Sequence, residues 1–129
     1  MAQRILTIDD DPGVTGALAR LLEMKGFEVR EENDSTRALE TARAYQPQVV
    51  IIDFLMPHVH GGDVAWQLAS DPKLRGVEMI ICTGVSAEEI TSKLPPVRIP
   101  ILSKPVDTAA LIALIEKAPA AVASNNHGR

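Results

Sequence analysis

The chain has 129 residues, one domain by size, with 46% hydrophobic and 23% charged residues, enough apolar material for a single core. Its net charge is −4, its pI is near 5.3, and it carries one Trp, one Tyr and two Phe. That excludes both the basic footprint and the stacking rings that nucleic-acid binding requires. One cysteine, Cys82, excludes an internal disulfide and fits a reducing compartment. No apolar run nears the ~18 residues needed to cross a bilayer, and Met1-Ala2-Gln3-Arg4 leads into no signal-peptide core. A cytoplasmic protein with no membrane and no nucleic-acid partner is expected.

In chain order, Ile5-Leu6-Thr7-Ile8 reads as a buried strand. Val14, Ala17, Leu18, Leu21 and Leu22 follow helical spacing, with Gly26 as the stop. Phe27 to Arg30 is a second short strand. Ser35 is expected to cap a helix that turns Ala38, Leu39 and Ala42 inward and ends before Pro47. Val49-Val50-Ile51-Ile52 is apolar on both faces, as a central parallel strand is. Val64, Ala65, Leu68 and Ala69 mark a third helix, and Met79-Ile80-Ile81-Cys82 a fourth strand. Ser86-Ala87-Glu88-Glu89 has the capping-box pattern and opens a short fourth helix stopped by Pro95-Pro96. Ile99 to Leu102 is a brief fifth strand, since Pro100 has no amide donor. Asp107 caps a last helix with Ala110, Leu111, Leu114 and Ile115 inward, ended by Pro119. Five strands alternating with five helices predict an α/β fold, a doubly wound parallel sheet covered on both faces. Residues 1–118 form the domain in this reading, and 119–129 a disordered tail.

Polar residues capable of chemistry recur just after the strands: Asp9-Asp10-Asp11, then Asp53, then Thr83, then Ser103-Lys104. In an open parallel sheet these positions share the carboxyl edge, where such folds bind ligands. Three clustered carboxylates repel one another, and a hard divalent cation such as Mg²⁺ relieves that repulsion. With the Lys104 ammonium and the Thr83 hydroxyl, they describe a cradle for a phosphoryl group in transfer, with a carboxylate as nucleophile. Asp11 has a simpler role, because Asp followed by Pro makes a helix cap and first helical residue. His58 and His60 on a glycine-bordered loop read as solvated, with no third ligand at zinc spacing. Cys82 reads as a small buried hydrophobe, and Trp66 as a half-exposed packing residue.

Over about residues 3 to 117 the chain resembles the receiver domains of two-component response regulators. The resemblance is carried by Ile5-Leu6-Thr7-Ile8-Asp9-Asp10-Asp11, by Asp53-Phe54-Leu55-Met56-Pro57 with Gly61, by Cys82-Thr83-Gly84, and by Lys104-Pro105. It implies a flavodoxin-like sheet of order 2-1-3-4-5. It implies that Asp53 accepts a phosphoryl group from a phosphohistidine on a histidine kinase or phosphotransfer protein. By the same resemblance, Asp10 and Asp53 contact Mg²⁺ directly, Asp9 acts mostly through water, and the backbone carbonyl of Leu55 is a further ligand. Lys104 pairs with the phosphoryl oxygens, Thr83 swings towards them, and the peptide before Pro105 is cis. The downstream target is expected on the face of the fourth helix, fifth strand and fifth helix, near Pro95, Pro96, Val97, Arg98 and Ile101.

Two positions depart from the family pattern. Ile101 stands where the family commonly has Tyr or Phe as a switch residue, and Val106 replaces an aromatic often found after Lys-Pro. Leu55 and Val85 offer no polar group to position water, which predicts slow self-dephosphorylation. Gly84 leaves the approach to Asp53 open. An Asp-nucleophile phosphatase lacks its acid here, because Leu55 stands where a second Asp is needed. A flavin or nucleotide binder would want a first loop rich in Ser, Thr and Gly rather than three acids. A receiver-like module that never takes phosphate is opposed by the complete set of acids, Thr83 and Lys104. No effector motif follows residue 117, so a stand-alone receiver, or one cut from a longer chain, is expected.

Overall fold

Every residue of β3 (Val49–Asp53) is buried, and this strand is the middle of the sheet. The computed structural model describes residues 3–126, with side chains as far as Lys117. Around β3 lie β1 (Arg4–Ile8), β2 (Glu28–Glu32), β4 (Glu78–Thr83) and β5 (Ile101–Ser103), in the order β2-β1-β3-β4-β5. All neighbours pair in parallel, with Ile8 beside Ile52, Asp53 beside Cys82 and Thr83 beside Ser103. The expected sheet and its order are therefore present.

Strand side chains alternate between two cores, as the period of two demands. Leu6, Ile8, Val50, Ile52 and Ile81 face one layer, which includes Ala42 of α2 (Ala38–Tyr45), Leu68 of α3 (Gly61–Ser70) and Ile90 of α4 (Ala87–Thr91). Ile5, Val49, Ile51, Ile80 and Cys82 face the other, with Leu22 of α1 (Pro12–Met24) and Leu111 and Ile115 of α5 (Thr108–Asn126). Burying these branched side chains, at roughly 1.5–3 kcal/mol each, drives the two helical layers onto the sheet.

Local chemistry sets several boundaries. The Asp11 carboxylate accepts the Gly13 N–H at 2.9 Å, and Pro12 occupies the first turn of α1, as expected. Gly26, at φ +96, lets the chain leave α1 in a left-handed conformation. The Glu89 carboxylate reaches the Ser86 N–H at 3.4 Å, and Asp107 accepts the Ala109 and Ala110 N–H groups.

Other boundaries differ from the sequence reading. Asp34, not Ser35, is the cap before α2: its carboxylate accepts the Thr36 N–H and hydroxyl and opens a single 3-10 turn, Ser35–Arg37. Ser35 is instead buried, its hydroxyl donating to the Pro57 carbonyl at 3.0 Å. The buried face of α1 is Thr15, Ala19 and Leu22, while Val14 and Ala17 lie exposed. β2 runs past Arg30 to Glu32, because β1 offers partners as far as Ile8. The backbone of α5 continues beyond Pro119 to Asn126. Pro119 removes one amide donor, but Ala118, Ala120, Ala121 and Ala123 around it are the strongest helix formers. The span expected to be a disordered tail, residues 119–129, is thus helical backbone as far as Asn126, and residues 127–129 lie outside the described residues.

Candidate functional site

Asp9 begins where β1 stops, and β2 holds its backbone. Its N–H donates to the Glu32 carbonyl at 3.2 Å, and its own carbonyl accepts from the Asn33 side-chain amide at 2.8 Å. Its carboxylate takes the Asp11 N–H at 3.0 Å. Asp9 is thus buried, and Asp10, the next residue, is exposed. Asp53 closes β3 and is also buried. The loop after it is pinned by the Gly61 N–H on the Phe54 carbonyl at 2.7 Å. A Cβ at Gly61 would lie 2.5 Å from the Asp53 carbonyl oxygen and 2.7 Å from the Phe54 Cα, so only glycine fits. A Cβ at Gly84 would meet nothing within 4 Å.

Lys104 follows β5 and is registered by its own N–H on the Thr83 carbonyl at 2.8 Å. Its Nζ lies 2.7 Å from Asp53 Oδ1 and 3.4 Å from Asp9 Oδ2. Asp9, Asp10 and Asp53 each offer a carboxylate oxygen within 4.8 Å of the other two. The strand ends thus bring together the residues that the sequence spreads over the chain. Thr83 is 1% exposed, and its hydroxyl oxygen accepts the Val85 N–H at 2.9 Å. Leu55, two residues beyond Asp53, is 59% exposed. Ile101 is half-buried against the core layer that holds Ile90.

Burial pushes the Asp53 carboxyl above its ordinary range; the Lys104 hydrogen bond opposes this, and Asp9 adds to it. Burial pulls Lys104 down, but the hydrogen bond and charge of Asp53 outweigh it, so its ammonium is held above the usual lysine range. The two shifts describe one ion pair crowded by a second carboxylate. Three carboxylates and one ammonium leave the cleft short of positive charge, and every candidate ligand is a hard oxygen. That donor set suits Mg²⁺. Asp9, Asp53 and Lys104 also line a cavity of about 250 Å³ whose apolar wall includes Val14, Leu18 and Val106.

Asp11 stays at its cap and outside the acidic group. Cys82 is buried, and burial pushes its thiol up to about 11, as an inert core residue. Trp66 is half-exposed. His58 is exposed at φ 69. His60 is not a simply solvated residue: its ring lies 5.4 Å from that of Phe54, and its Nε2 is 3.5 Å from Asp63. The aromatic neighbour at Phe54 lies six residues upstream, beyond any local pattern. Neither histidine joins a ligand group among the described residues. The peptide Lys104-Pro105 is cis, as expected. Asn33 was not singled out by the sequence; its only signal is an amide placed directly after a strand that ends in charge.

The family profile "Response regulator receiver domain" matches residues 5–116. DNA-binding response regulator MtrA of Mycolicibacterium smegmatis is 35% identical over 83 residues, 64% of this chain and 35% of its own length. This chain thus spans about a third of that relative. Protein Rrf1 of Nitratidesulfovibrio vulgaris is 26% identical over 123 residues, 95% of this chain and 87% of its own. Among solved structures, the receiver domain of sensor histidine kinase PA1611 from Pseudomonas aeruginosa superposes with a TM-score of 0.80. It is 19% identical and covers 92% of this chain and 98% of its own, and it carries a magnesium ion in its active-site cleft. Receiver domains partner with histidine kinases, and they are signalling proteins of two-component systems rather than enzymes. Among the described residues no helix is long and apolar enough to cross a membrane. With its acidic pocket at the head of a 2-1-3-4-5 sheet and a profile match over most of its length, this chain belongs to the response regulator receiver domain family.

Proposed function

We propose that the chain is a phosphorylation-dependent switch in which Asp53 accepts a phosphoryl group from a phosphohistidine of a histidine kinase or phosphotransfer protein. The observation that carries this reading is the Lys104 ammonium 2.7 Å from the Asp53 carboxylate, beside Asp9 and Asp10. In the transfer, an Asp53 carboxylate oxygen bonds to phosphorus as the phosphorus–nitrogen bond to the donor breaks. The imidazole leaves with the electron pair and takes up a proton to become neutral histidine. Asp10, Asp53 and the Leu55 backbone carbonyl would hold Mg²⁺, with Asp9 acting through water; the bound ion supplies positive charge against the phosphoryl oxygens. Lys104 turns from the Asp53 carboxylate to the oxygens of the new phosphoryl group. Thr83 gives up its Val85 contact and donates its hydroxyl to them. The magnesium in the related cleft of the PA1611 receiver supports the same metal here.

The open space at Gly84 suits a bulky imidazole donor. The output face is read as α4, β5 and α5, where Val97 and Arg98 are exposed. The reading belongs to the cytoplasm, which the free Cys82 thiol fits. The deciding experiment incubates the full chain with acetyl phosphate and Mg²⁺ and records intact mass for wild type and Asp53→Asn. Wild type is expected to gain one phosphoryl group and the variant none. A gain that survives the substitution would overturn the choice of acceptor.

A further inference from the structure

The exposed Asp10 has no hydrogen bond to its carboxylate among the described residues, yet that carboxylate sits within 4.8 Å of those of Asp9 and Asp53. Something other than the side chain must place it. The peptide between Asp9 and Asp10 is planar, so fixing the Asp9 carbonyl fixes the direction in which Asp10 leaves. That carbonyl accepts from Asn33 Nδ2 at 2.8 Å. The same amide nitrogen donates to Thr15 Oγ1 at 2.9 Å, and the buried Thr15 hydroxyl donates in turn to a Glu31 carboxylate oxygen at 2.8 Å. The Thr15 proton goes to Glu31, the nearer of its two acceptors, the other being the Pro12 carbonyl at 3.3 Å; either way its oxygen is left to accept from Asn33. An amide turned the other way would set its oxygen against the Asp9 carbonyl oxygen.

We infer that Asn33 is the positioning residue of the acidic cluster: by clamping the Asp9–Asp10 peptide from the end of β2, it holds the Asp10 carboxylate in the group with Asp9 and Asp53. The inference rests on the Mg²⁺-dependent reading above. It makes β2, which contributes no ligand, part of the cation site through two bonds to one residue: Glu32 carbonyl on the Asp9 N–H and Asn33 amide on the Asp9 carbonyl. A shorter side chain cannot span that gap, and an aspartate would bring an acceptor where a donor is needed.

The test titrates MgCl₂ into the ¹⁵N-labelled full chain and follows backbone amide shifts for wild type, Asn33→Ala and Arg43→Ala. Arg43→Ala breaks an ion pair with Asp71, remote from the acidic loop, and controls for general destabilisation. Asn33→Ala is expected to bind Mg²⁺ about tenfold more weakly, as loss of groups that orient metal ligands does. The sheet resonances should stay in place and Arg43→Ala should match wild type. If Asn33→Ala does not fold, Asn33→Ser, which keeps a polar group but loses the reach, should show the same weakening. Equal affinities in wild type and both Asn33 variants overturn the inference, as does an equal loss in Arg43→Ala. A wild type that shows no saturable Mg²⁺ binding overturns the metal reading itself, whatever the variants do.

Discussion

Lys104 and Asp53 meet at 2.7 Å across the gap between an edge strand and the central strand, and the same ammonium stands 3.4 Å from Asp9. One cation therefore holds together two buried carboxylates that would otherwise repel. The Lys104 side chain is 34% exposed, so water screens part of this interaction. Lys104→Met is expected to lower stability by about 1–3 kcal/mol in divalent-free urea unfolding, because it leaves the buried Asp53 carboxylate unpaired beside that of Asp9, which keeps only the Asp11 N–H. The same variant should gain phosphate from acetyl phosphate more slowly than wild type by intact mass.

Leu55, exposed two residues beyond Asp53, and Val85, half-buried two residues beyond Thr83, carry no polar group that could orient water. Phosphorylated protein is expected to decay slowly, and Leu55→Asn should speed the decay about tenfold by supplying such a group. Phosphoryl loss followed by mass over time measures both. A wild-type half-life of seconds would contradict the expectation.

Ile101 packs against the core rather than standing free. A branched aliphatic has no ring to exchange between solvent and a pocket, so activation should move it little. Coupling from Thr83 should run through the loop after β4, whose Val85 N–H the Thr83 hydroxyl now holds. Structures with and without a phosphate analogue should show Ile101 in place and that loop repacked. A large inward swing of Ile101 would refute this.

The two glycines beside the site should respond in opposite ways. Gly61→Ala drives a Cβ into the Asp53 carbonyl and the Phe54 backbone, and should destabilise the fold by about 1–3 kcal/mol. Gly84→Ala meets open space and should change stability by less than about 0.5 kcal/mol. Gly84→Ala should nonetheless slow transfer from a phosphohistidine protein more than from acetyl phosphate, since only the former needs the room. Thermal melts and parallel transfer assays test the pair.

Asp71 gives the fold a pH dependence away from the acidic cleft. The Lys73 N–H at 2.8 Å and the Arg43 guanidinium at 2.5 Å hold its carboxyl below the ordinary range, against a smaller opposing effect of burial. Its folded-state value lies below its unfolded one, so its contribution is full above the unfolded value and is lost as pH falls through the folded one. Asp71→Asn should therefore be less stable than wild type at neutral pH, and the gap should close in strong acid. Urea titrations across pH 2 to 7 read this directly, and a gap that widens towards low pH would contradict it.

The fold was legible because hydrophobic periodicity is a local property. Val49-Val50-Ile51-Ile52 announces a central strand by itself, and each site residue follows such a run. What could not be read depended on partners distant in sequence. Ser35 looks like a cap, but Pro57 claims its hydroxyl from another loop, and Asp34 takes over the turn. Thr15 looks like the polar side of α1, yet Asn33 and Glu31 satisfy its hydroxyl, so it is buried while Val14 is not. The acidic cluster was visible as residue types after strands, but the role of Asn33 was not, because it acts through one carbonyl 24 residues away in the chain.

The two borders of the sheet have a further consequence. β2 presents exposed Glu28, Arg30 and Glu31, and β5 is three residues long with Pro100 immediately before it. A charged border and a stunted one make poor templates for strand addition by another chain. This receiver should therefore resist edge-to-edge aggregation when crowded, and contacts between copies would have to be made through helices.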